Sequence, residues 1–184
     1  MPEERRTADD TRTLDVETPQ RPPVRIAYED SVRCIGVCEN VVFTVEDAEP
    51  TLQYLDELCR VVLSVSQRGG KGLGVLFAIS SRCKPPSEAA RAKIDRDRRM
   101  FDAHTKAAAH VLFGEGFLAS AKRSALSLLF ATSRASFPLK VFGDVNSAMV
   151  WLFNAMTDAA PRGVTATRLA ASVDELCRTR FKAT

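Results

Sequence analysis

The chain has 184 residues, of which 45% are hydrophobic and 27% are charged, and its formal net charge is +3 at pH 7. This is enough for one domain of ordinary size with a sizeable core. No run approaches the roughly 18 apolar residues of a membrane span, and the N-terminus lacks the apolar segment of a signal peptide. We therefore expect a cytoplasmic protein without a membrane span. The basic residues are mixed with acids, so the charge predicts no specific nucleic acid.

Residues 1–22 differ in kind from the rest of the chain. They contain almost no large apolar residues and carry two net negative charges, which leaves five net positive charges on the remainder. Such a segment cannot bury enough surface to offset the entropy of ordering it. We therefore predict a disordered N-terminal arm.

Three short runs of β-type residues follow the arm. They are Val24–Tyr28, Val32–Val37 and Val41–Val45, and Glu39–Asn40 lies between the last two. Glu39–Asn40 is suited to a tight turn between strands. The pattern predicts an antiparallel hairpin at the start of the domain.

A helix and a buried strand come next. Pro50 and Thr51 open the helix, with Thr51 or Asp47 as its cap, and the glycine-rich residues 67–72 end it. Leu73–Ile79 is a nearly continuous apolar run, which is typical of a strand covered on both faces. One face of the helix carries apolar residues at spacings of three and four, namely Leu52, Leu55, Leu58, Cys59, Val62 and Leu63.

A long charged helix is predicted from Ser87 to about His104. Its apolar stripe is thin, with Ala90, Ile94 and Phe101, so much of the helix must face water. The charged residues would suit a docking surface for an acidic partner. Opposite charges three and four residues apart are nevertheless typical of a solvated helix face, which is the interpretation we favour.

Two further strand-and-helix units complete the domain. A strand at Ala109–Phe113 precedes a helix at Phe117–Ser133, and a strand at Leu139–Phe142 precedes a helix capped by Asp144. The first of these helices has a broad apolar face made of Leu118, Ala121, Ala125, Leu128, Leu129 and Phe130. The second carries Ala148, Met149, Trp151, Leu152 and Ala155, and a final helix from Thr165 carries Leu169, Val173 and Leu176.

Four units therefore begin at Val41, Leu73, Ala109 and Leu139. Parallel strands need helical crossovers of this length, and right-handed crossovers would join the units into one sheet. The predicted fold class is α/β, a single domain with a mostly parallel sheet of four βα units preceded by a short β-hairpin. We place the domain at 23–160 and a C-terminal helix, packed on the domain or on a partner, at 161–184.

The five cysteines show no paired spacing. Cys34 and Cys38 lie four residues apart and would share one face of a strand. A single such pair, without a second pair of Cys or His, is a poor zinc signature. We expect buried free thiols in a reducing compartment and no metal site. The two histidines, His104 and His110, fall at a helix end and a strand start and indicate no catalytic triad.

The closing unit carries a family resemblance. The strand Phe137–Phe142 is followed by a short turn and a helix with Ala148 and Trp151–Leu152. Together with the order of the units, from about Val24 to Met156, this pattern resembles the SpoIIAA-like superfamily, which includes STAS domains and a STAS-like group of bacterial proteins. The resemblance implies a non-enzymatic regulatory domain that binds a protein partner.

The resemblance also implies a site of phosphorylation. Members that control sigma factors carry a serine after the second core strand, which a partner kinase phosphorylates. The matching region here contains Ser80, Ser81 and Ser87, although the usual Asp-Ser-Ser/Thr-Gly pattern is absent and two prolines intervene. The alternative for Ser87 is a helix cap, which its position before Glu88 favours.

A glycine motif is the main indication of a ligand site. Gly114-Glu115-Gly116-Phe117-Leu118-Ala119 matches G-x-G-x-x-G/A between a strand and a helix, where backbone N–H groups of Gly114 and Gly116 could hold an anion. It lies in the third unit rather than the first, Glu115 would repel phosphate, and no acid ends the next strand. A tight turn is the interpretation we favour. The glycines at 69–74 follow a helix and precede a strand, the reverse of a phosphate-binding loop.

The leading hypothesis is a non-enzymatic, cytoplasmic, STAS-like domain that binds a protein partner and has no cofactor. The alternative is a small-molecule, nucleotide or lipid binding protein that uses the turn at Gly114–Ala119. A third option is a membrane-surface adaptor that acts through the final helix. The sequence leaves a homo-oligomer open.

Overall fold

The computed structural model describes residues 24–69, 72–131 and 135–181. The predicted arm at 1–22, the connector residues Gly70 and Lys71 and the predicted helix end at Ser133 lie outside the described residues. The strands are β1 (Arg25–Glu29), β2 (Arg33–Cys38), β3 (Val41–Glu46), β4 (Leu73–Ile79), β5 (Thr105–Leu112) and β6 (Leu139–Phe142). The helices are α1 (Leu52–Gly69), α2 (Glu88–His104), α3 (Gly116–Ala131), α4 (Val145–Met156) and α5 (Ala166–Phe181), with a 3₁₀ turn at Thr157–Ala159.

The six strands form one sheet in the order of the chain, β1-β2-β3-β4-β5-β6. β1, β2 and β3 pair antiparallel, which confirms the predicted hairpin, and Glu39 in its turn has a φ of 51°. β3, β4, β5 and β6 pair parallel. The predicted α/β class with a mostly parallel sheet is therefore confirmed.

Helices cover both faces of the sheet. α1 and α2 pack together on one face, where Tyr54, Leu58 and Val62 meet Ile35 and Val75. α4 and α5 pack together on the other face, against a second set of buried side chains. The alternation of side chains along each strand divides the core into these two layers. α5 contacts α4 and β3, so the C-terminal helix packs on the domain itself.

The buried stripe of α1 differs from the predicted one. Leu55, Leu58 and Val62 are buried as expected, but Leu52 is 48% exposed and Leu63 is 36% exposed. Tyr54, Val61 and Val65 take their places in the core. The helix is therefore rotated about its axis relative to the prediction. The rotation places the large ring of Tyr54 in the core and leaves Leu52 at the surface. Thr51 is the cap, since its Oγ1 accepts a hydrogen bond from the Tyr54 N–H at 3.2 Å.

β5 begins four residues before its predicted start. Thr105–Ala108 continues the chain from α2 directly into the strand, and the Thr105 N–H still closes the helix by donating to Phe101 O. Ala107 and Ala109 are fully buried on the face that α4 covers. Small side chains there allow α4 to approach the sheet closely, which outweighs the helical preference of alanine.

α2 matches its prediction, with one exception. Ala90 is its only buried residue, and Ile94, which we placed in the apolar stripe, is 43% exposed. Lys93 helps to hold α2 on α1, because its Nζ forms an ion pair with Asp56 of α1. The same Nζ lies 2.9 Å from Asp97, one turn further along α2.

Three residues of the predicted apolar face of α3 do not lie in the core. Ala121, Ala125 and Leu128 are exposed, and Leu128 keeps 70% of its accessible surface. Phe117, at the start of the helix, is 90% exposed. The side chains of Leu118, Leu129 and Phe130 lie outside the described part of the chain. The main contact of α3 is with β6, at the end of the sheet.

All five cysteines are free thiols, and Cys34 and Cys38 share one face of β2 as predicted, in the layer that also buries Cys177. Cys59 and Cys83, which we expected to be buried, are partly exposed. None of the helices in the described ranges combines the length and apolar character needed to cross a bilayer.

Candidate functional site at the carboxyl edge of the sheet

The carboxyl ends of β3 and β4 bring three polar side chains together. Asp47 directly follows β3, and Ser80 directly follows β4. The Ser80 hydroxyl donates a short hydrogen bond to Asp47 Oδ1. Arg82 donates from Nη2 to Asp47 Oδ2 at 2.6 Å and from Nε to Oδ1 at 3.2 Å. This bidentate pair and the Ser80 hydroxyl together occupy both oxygens of the carboxylate.

The end of α5 is tied to the same edge. Arg82 Nη2 also donates to the carbonyl of Phe181 at 2.7 Å, so one guanidinium joins Asp47 to the last described turn of α5. The ring of Phe181 packs edge-on against Phe113, which follows β5, with 5.1 Å between centroids. Arg180 pairs with Glu29 and donates to Asp30 O at 3.0 Å. The C-terminal helix thus closes over part of the carboxyl edge.

A buried polar cluster lies at the end of β3. Glu46 accepts hydrogen bonds from Tyr54 Oη and Thr44 Oγ1, both at 2.8 Å. Burial raises the pKa of Glu46 above its usual value, although both hydrogen bonds favour the carboxylate. The pKa of Tyr54 is raised well above its usual value by burial and by the charge of Glu46. The Arg33 guanidinium lies 5.4 Å from the Tyr54 ring centroid and adds a cation–π contact.

The titratable groups near this edge are poorly suited to nucleophilic catalysis. Burial, with the negative charges of Glu46 and Asp47, raises the pKa of the Cys83 thiol to about 11. Burial lowers the pKa of His110 on β5 to about 4, and its ring stacks on Phe77 with 4.5 Å between centroids. A thiol that remains protonated is a weak nucleophile, and the Asp47 carboxylate is paired with the Arg82 guanidinium. The polar side chains at this edge form a fixed set of hydrogen bonds.

The three serines of the predicted phosphorylation region have different environments in the structure. Ser80 is buried against Asp47, and its Oγ also accepts from the Arg82 N–H at 3.1 Å. Ser81 is exposed. Ser87 is the cap of α2, because its Oγ accepts from the Ala90 N–H at 3.3 Å, and its own N–H donates to Glu49 at 2.8 Å. The capping role that we favoured for Ser87 is confirmed.

The glycine turn lies at the carboxyl end of β5. Gly114 and Gly116 have φ values of 137° and 80°, a region that favours glycine. Arg123, two turns into α3, donates from Nη1 to the carbonyls of Leu112 and Gly114, each at 3.2 Å. These hydrogen bonds hold the turn between β5 and α3 against the helix, so the turn has a structural role.

Comparisons with known proteins add no relative. No protein-family model, no curated protein and no solved structure matches the chain. Among residues 24–69, 72–131 and 135–181, no three His, Cys, Asp or Glu side chains are grouped so that they could hold a metal ion.

Two residues of this site were not predicted from the sequence. Asp47 was expected only as a possible helix cap, and Arg82 was not predicted to have a role. Asp47 and Ser80 are 33 residues apart in sequence and meet because β3 and β4 are parallel neighbours. The signal that could have found them is positional, since both residues directly follow predicted strands and such ends meet at one edge of a parallel sheet.

Proposed function

We propose that this chain is a non-enzymatic, cytoplasmic, STAS-like domain that acts by binding a protein partner. The order of its βα units and the closing motif at Leu139–Leu152 support the family assignment. The observation that carries the function is the exposed apolar surface of α3, defined by Phe117 and Leu128. These side chains remain 90% and 70% exposed, whereas every other aromatic side chain that the structure describes is buried fully or in part.

Exposure on this scale favours association. Burying a side chain of this size contributes about 1.5–3 kcal/mol relative to leaving it in water. Every described side chain of α3 except that of Arg123 is exposed. Solitary exposed leucines are ordinary, but Phe117 and Leu128 lie on the same side of the helix, which favours an interaction surface there.

The charges of α3 lie away from this apolar surface. α3 contains Lys122 and Arg123 and no acidic residue. Arg123 is engaged at the Gly114 turn, and Lys122 lies on a different side of the helix from Phe117 and Leu128. A partner element with apolar side chains would complement Phe117 and Leu128.

Any regulation by phosphorylation would act through Ser81. Its hydroxyl is exposed, whereas the Ser80 hydroxyl is buried on Asp47 and the Ser87 hydroxyl caps α2. A phosphate on Ser81 would add about 1.5–2 negative charges beside the Arg82 guanidinium and compete with Asp47 for it. Such competition would loosen the tie between Arg82 and α5.

Site-specific photo-crosslinking tests the binding function. A benzophenone amino acid replaces Phe117, Leu128 or, as a control, Leu52, which is 48% exposed on α1. We expect Phe117 and Leu128 to capture the same protein in the source cells and Leu52 not to capture it. The purified protein should then bind the wild-type chain, and Phe117→Asp and Leu128→Asp should weaken binding at least about tenfold, while Leu52→Asp leaves it unchanged.

The same experiment can refute the proposal. Crosslinking to lipid, equal capture at all three positions, or unaltered affinity of the Phe117→Asp and Leu128→Asp variants would each contradict it. Loss of fold is not a concern for these variants, because substitutions at exposed positions change stability by about 0.5 kcal/mol or less. Circular dichroism and urea unfolding of each variant verify this.

A further inference from the structure

β6 is the last strand in the order of the sheet. It pairs with β5 on one side, and within the described residues no strand pairs with it on the other. The Pro138 carbonyl accepts from the Ala108 N–H at 3.0 Å, so Pro138 directs its backbone toward β5. Backbone direction alternates along a strand, and Lys140 and Phe142 therefore also face β5. The N–H and C=O groups of Leu139 and Val141 point away from the sheet.

Lys140 opposes pairing between two copies of this edge. In the antiparallel register that pairs Leu139 with Val141 of a second copy, and Val141 with its Leu139, the two Lys140 side chains stand directly opposite each other. Like charges in opposing positions destabilise a strand pair, and lysine on an edge strand is a common protection against self-association. A strand that carries a carboxylate opposite Lys140 would instead be stabilised.

The side chains around Lys140 define what the incoming strand would meet. Lys140 Nζ lies 5.4 Å from the Phe142 ring centroid, and that ring is 5.6 Å from the ring of Trp151 on α4. Lys140 therefore extends over an aromatic surface on the α4 face of the sheet. Two acids lie at the carboxyl end of this region: Asp144 accepts from the Ser147 N–H at 2.7 Å as the cap of α4, and Glu115 precedes α3.

We propose that β6 accepts an extended segment of a protein partner as an added strand, with an acidic side chain of that segment opposite Lys140. The backbone groups of Leu139 and Val141 supply the hydrogen bonds, as in other cases of strand addition. Lys140 supplies the selection, because it favours an acid and, in the register described above, opposes a second copy. This inference rests on the proposed function, since it describes how the same partner is held next to α3.

Amide hydrogen exchange on the full chain tests the geometry directly. The probe is an acetylated eight-residue peptide of alternating Val and Glu, and the matched probe has Lys in place of Glu. In the chain alone, we expect the outward amides of Leu139 and Val141 to exchange faster than the inward amides of Lys140 and Phe142. The Glu peptide should slow exchange at Leu139 and Val141, whereas the Lys peptide should bind roughly tenfold more weakly.

Three variants sharpen the test. Val141→Pro removes one outward N–H while sparing the pairing with β5, and proline is tolerated on the open side of an edge strand, so peptide binding should be lost with the fold intact. Lys140→Glu should reverse the preference between the two peptides. Lys84→Glu makes the same charge change at an exposed loop position away from β6 and should leave the preference unchanged.

The outcomes separate this inference from the proposed function. Strand addition is wrong if the Glu peptide does not slow amide exchange at Leu139 and Val141. It is also wrong if the Glu and Lys peptides slow that exchange equally. If the partner captured through Phe117 binds the Val141→Pro variant with wild-type affinity, strand addition is wrong while the binding function stands. If that partner loses affinity for Val141→Pro but not for Lys84→Glu, both are supported.

Discussion

The hydrogen bond from Tyr54 to Glu46 gives a sharp test of the buried cluster at the end of β3. Tyr54 has no exposed surface, and its Oη lies 2.8 Å from Glu46 Oε1. Tyr54→Phe keeps the ring and removes the donor, which leaves a buried carboxylate with Thr44 as its remaining close donor. Loss of a hydrogen bond to a buried charged group costs about 1.5–3 kcal/mol in the free energy of unfolding.

The cost of Tyr54→Phe should depend on pH. Burial raises the pKa of Glu46 above its ordinary 4.5, so the stability contributed by its protonated form is fully present below the unfolded-state pKa. That contribution is lost as the pH rises through the folded-state pKa. The Tyr54 hydroxyl is needed most when Glu46 is ionised. We therefore expect a larger loss at pH 8 than at pH 4, where a protonated Glu46 leaves only a neutral hydrogen bond worth about 0.5–1.5 kcal/mol.

Urea unfolding monitored by circular dichroism at both pH values measures these losses. Tyr28→Phe is the matched control, because Tyr28 also donates to a carboxylate, at 3.0 Å from Asp30, but in a partly exposed position where water can replace it. In a Glu46→Gln background, the cost of Tyr54→Phe at pH 8 should fall to the acid-pH value. An equal cost at both pH values, or no reduction in the Gln background, would refute a pH-dependent role for the hydrogen bond from Tyr54 to Glu46.

Three further predictions concern local features. Ser87→Ala should lower the free energy of unfolding by about 0.5–2 kcal/mol through loss of the α2 cap, while Ser81→Ala, at an exposed position, should change it by less than about 0.5 kcal/mol in the same urea titration. Gly36→Ala should cost about 1–3 kcal/mol, because a Cβ there would lie 2.1 Å from the Phe43 ring; a neutral result in thermal and urea unfolding would show that the ring moves freely. Cys59, whose pKa is raised to about 12 by burial and by its hydrogen bond to Asp97, should react with iodoacetamide at pH 8 at least about a hundredfold more slowly than free cysteine, and mass spectrometry of the labelled peptides would detect a faster rate.

The sequence predicted those helices and strands in which the periodicity of apolar residues reflects one buried face. Leu139–Phe142 and the helix capped by Asp144 lie where they were expected, because cap and periodicity agree there. The start of β5 was missed, since Thr105–Ala108 contains no turn residue after α2 and alanines indicate helix by propensity. Only the packing of α4 on that strand explains why small side chains are used.

The candidate site was harder to predict than the fold. The cap at Ser87 follows from local chemistry and was expected. The contacts of Asp47 with Ser80 and Arg82 depend on which strands are neighbours, and that depends on the whole sheet. The exposure of Ala121, Ala125 and Leu128 on α3 was not predictable, because an apolar stripe has the same pattern whether it meets a core or water.

The exposed apolar side chains of α3 and the edge position of β6 share a topological cause. Strand order follows the chain, so the last strand of the sheet, β6, ends up at an edge rather than between neighbours. α3 is the crossover into that strand, and its main contact is β6 rather than another helix. An apolar helix and unpaired backbone groups are therefore produced at the same end of the molecule by one feature of the fold. A partner that supplied both a strand for β6 and apolar side chains for Phe117 and Leu128 would complete the sheet and cover the helix in a single interface, which is why the two proposals predict one binding partner and not two.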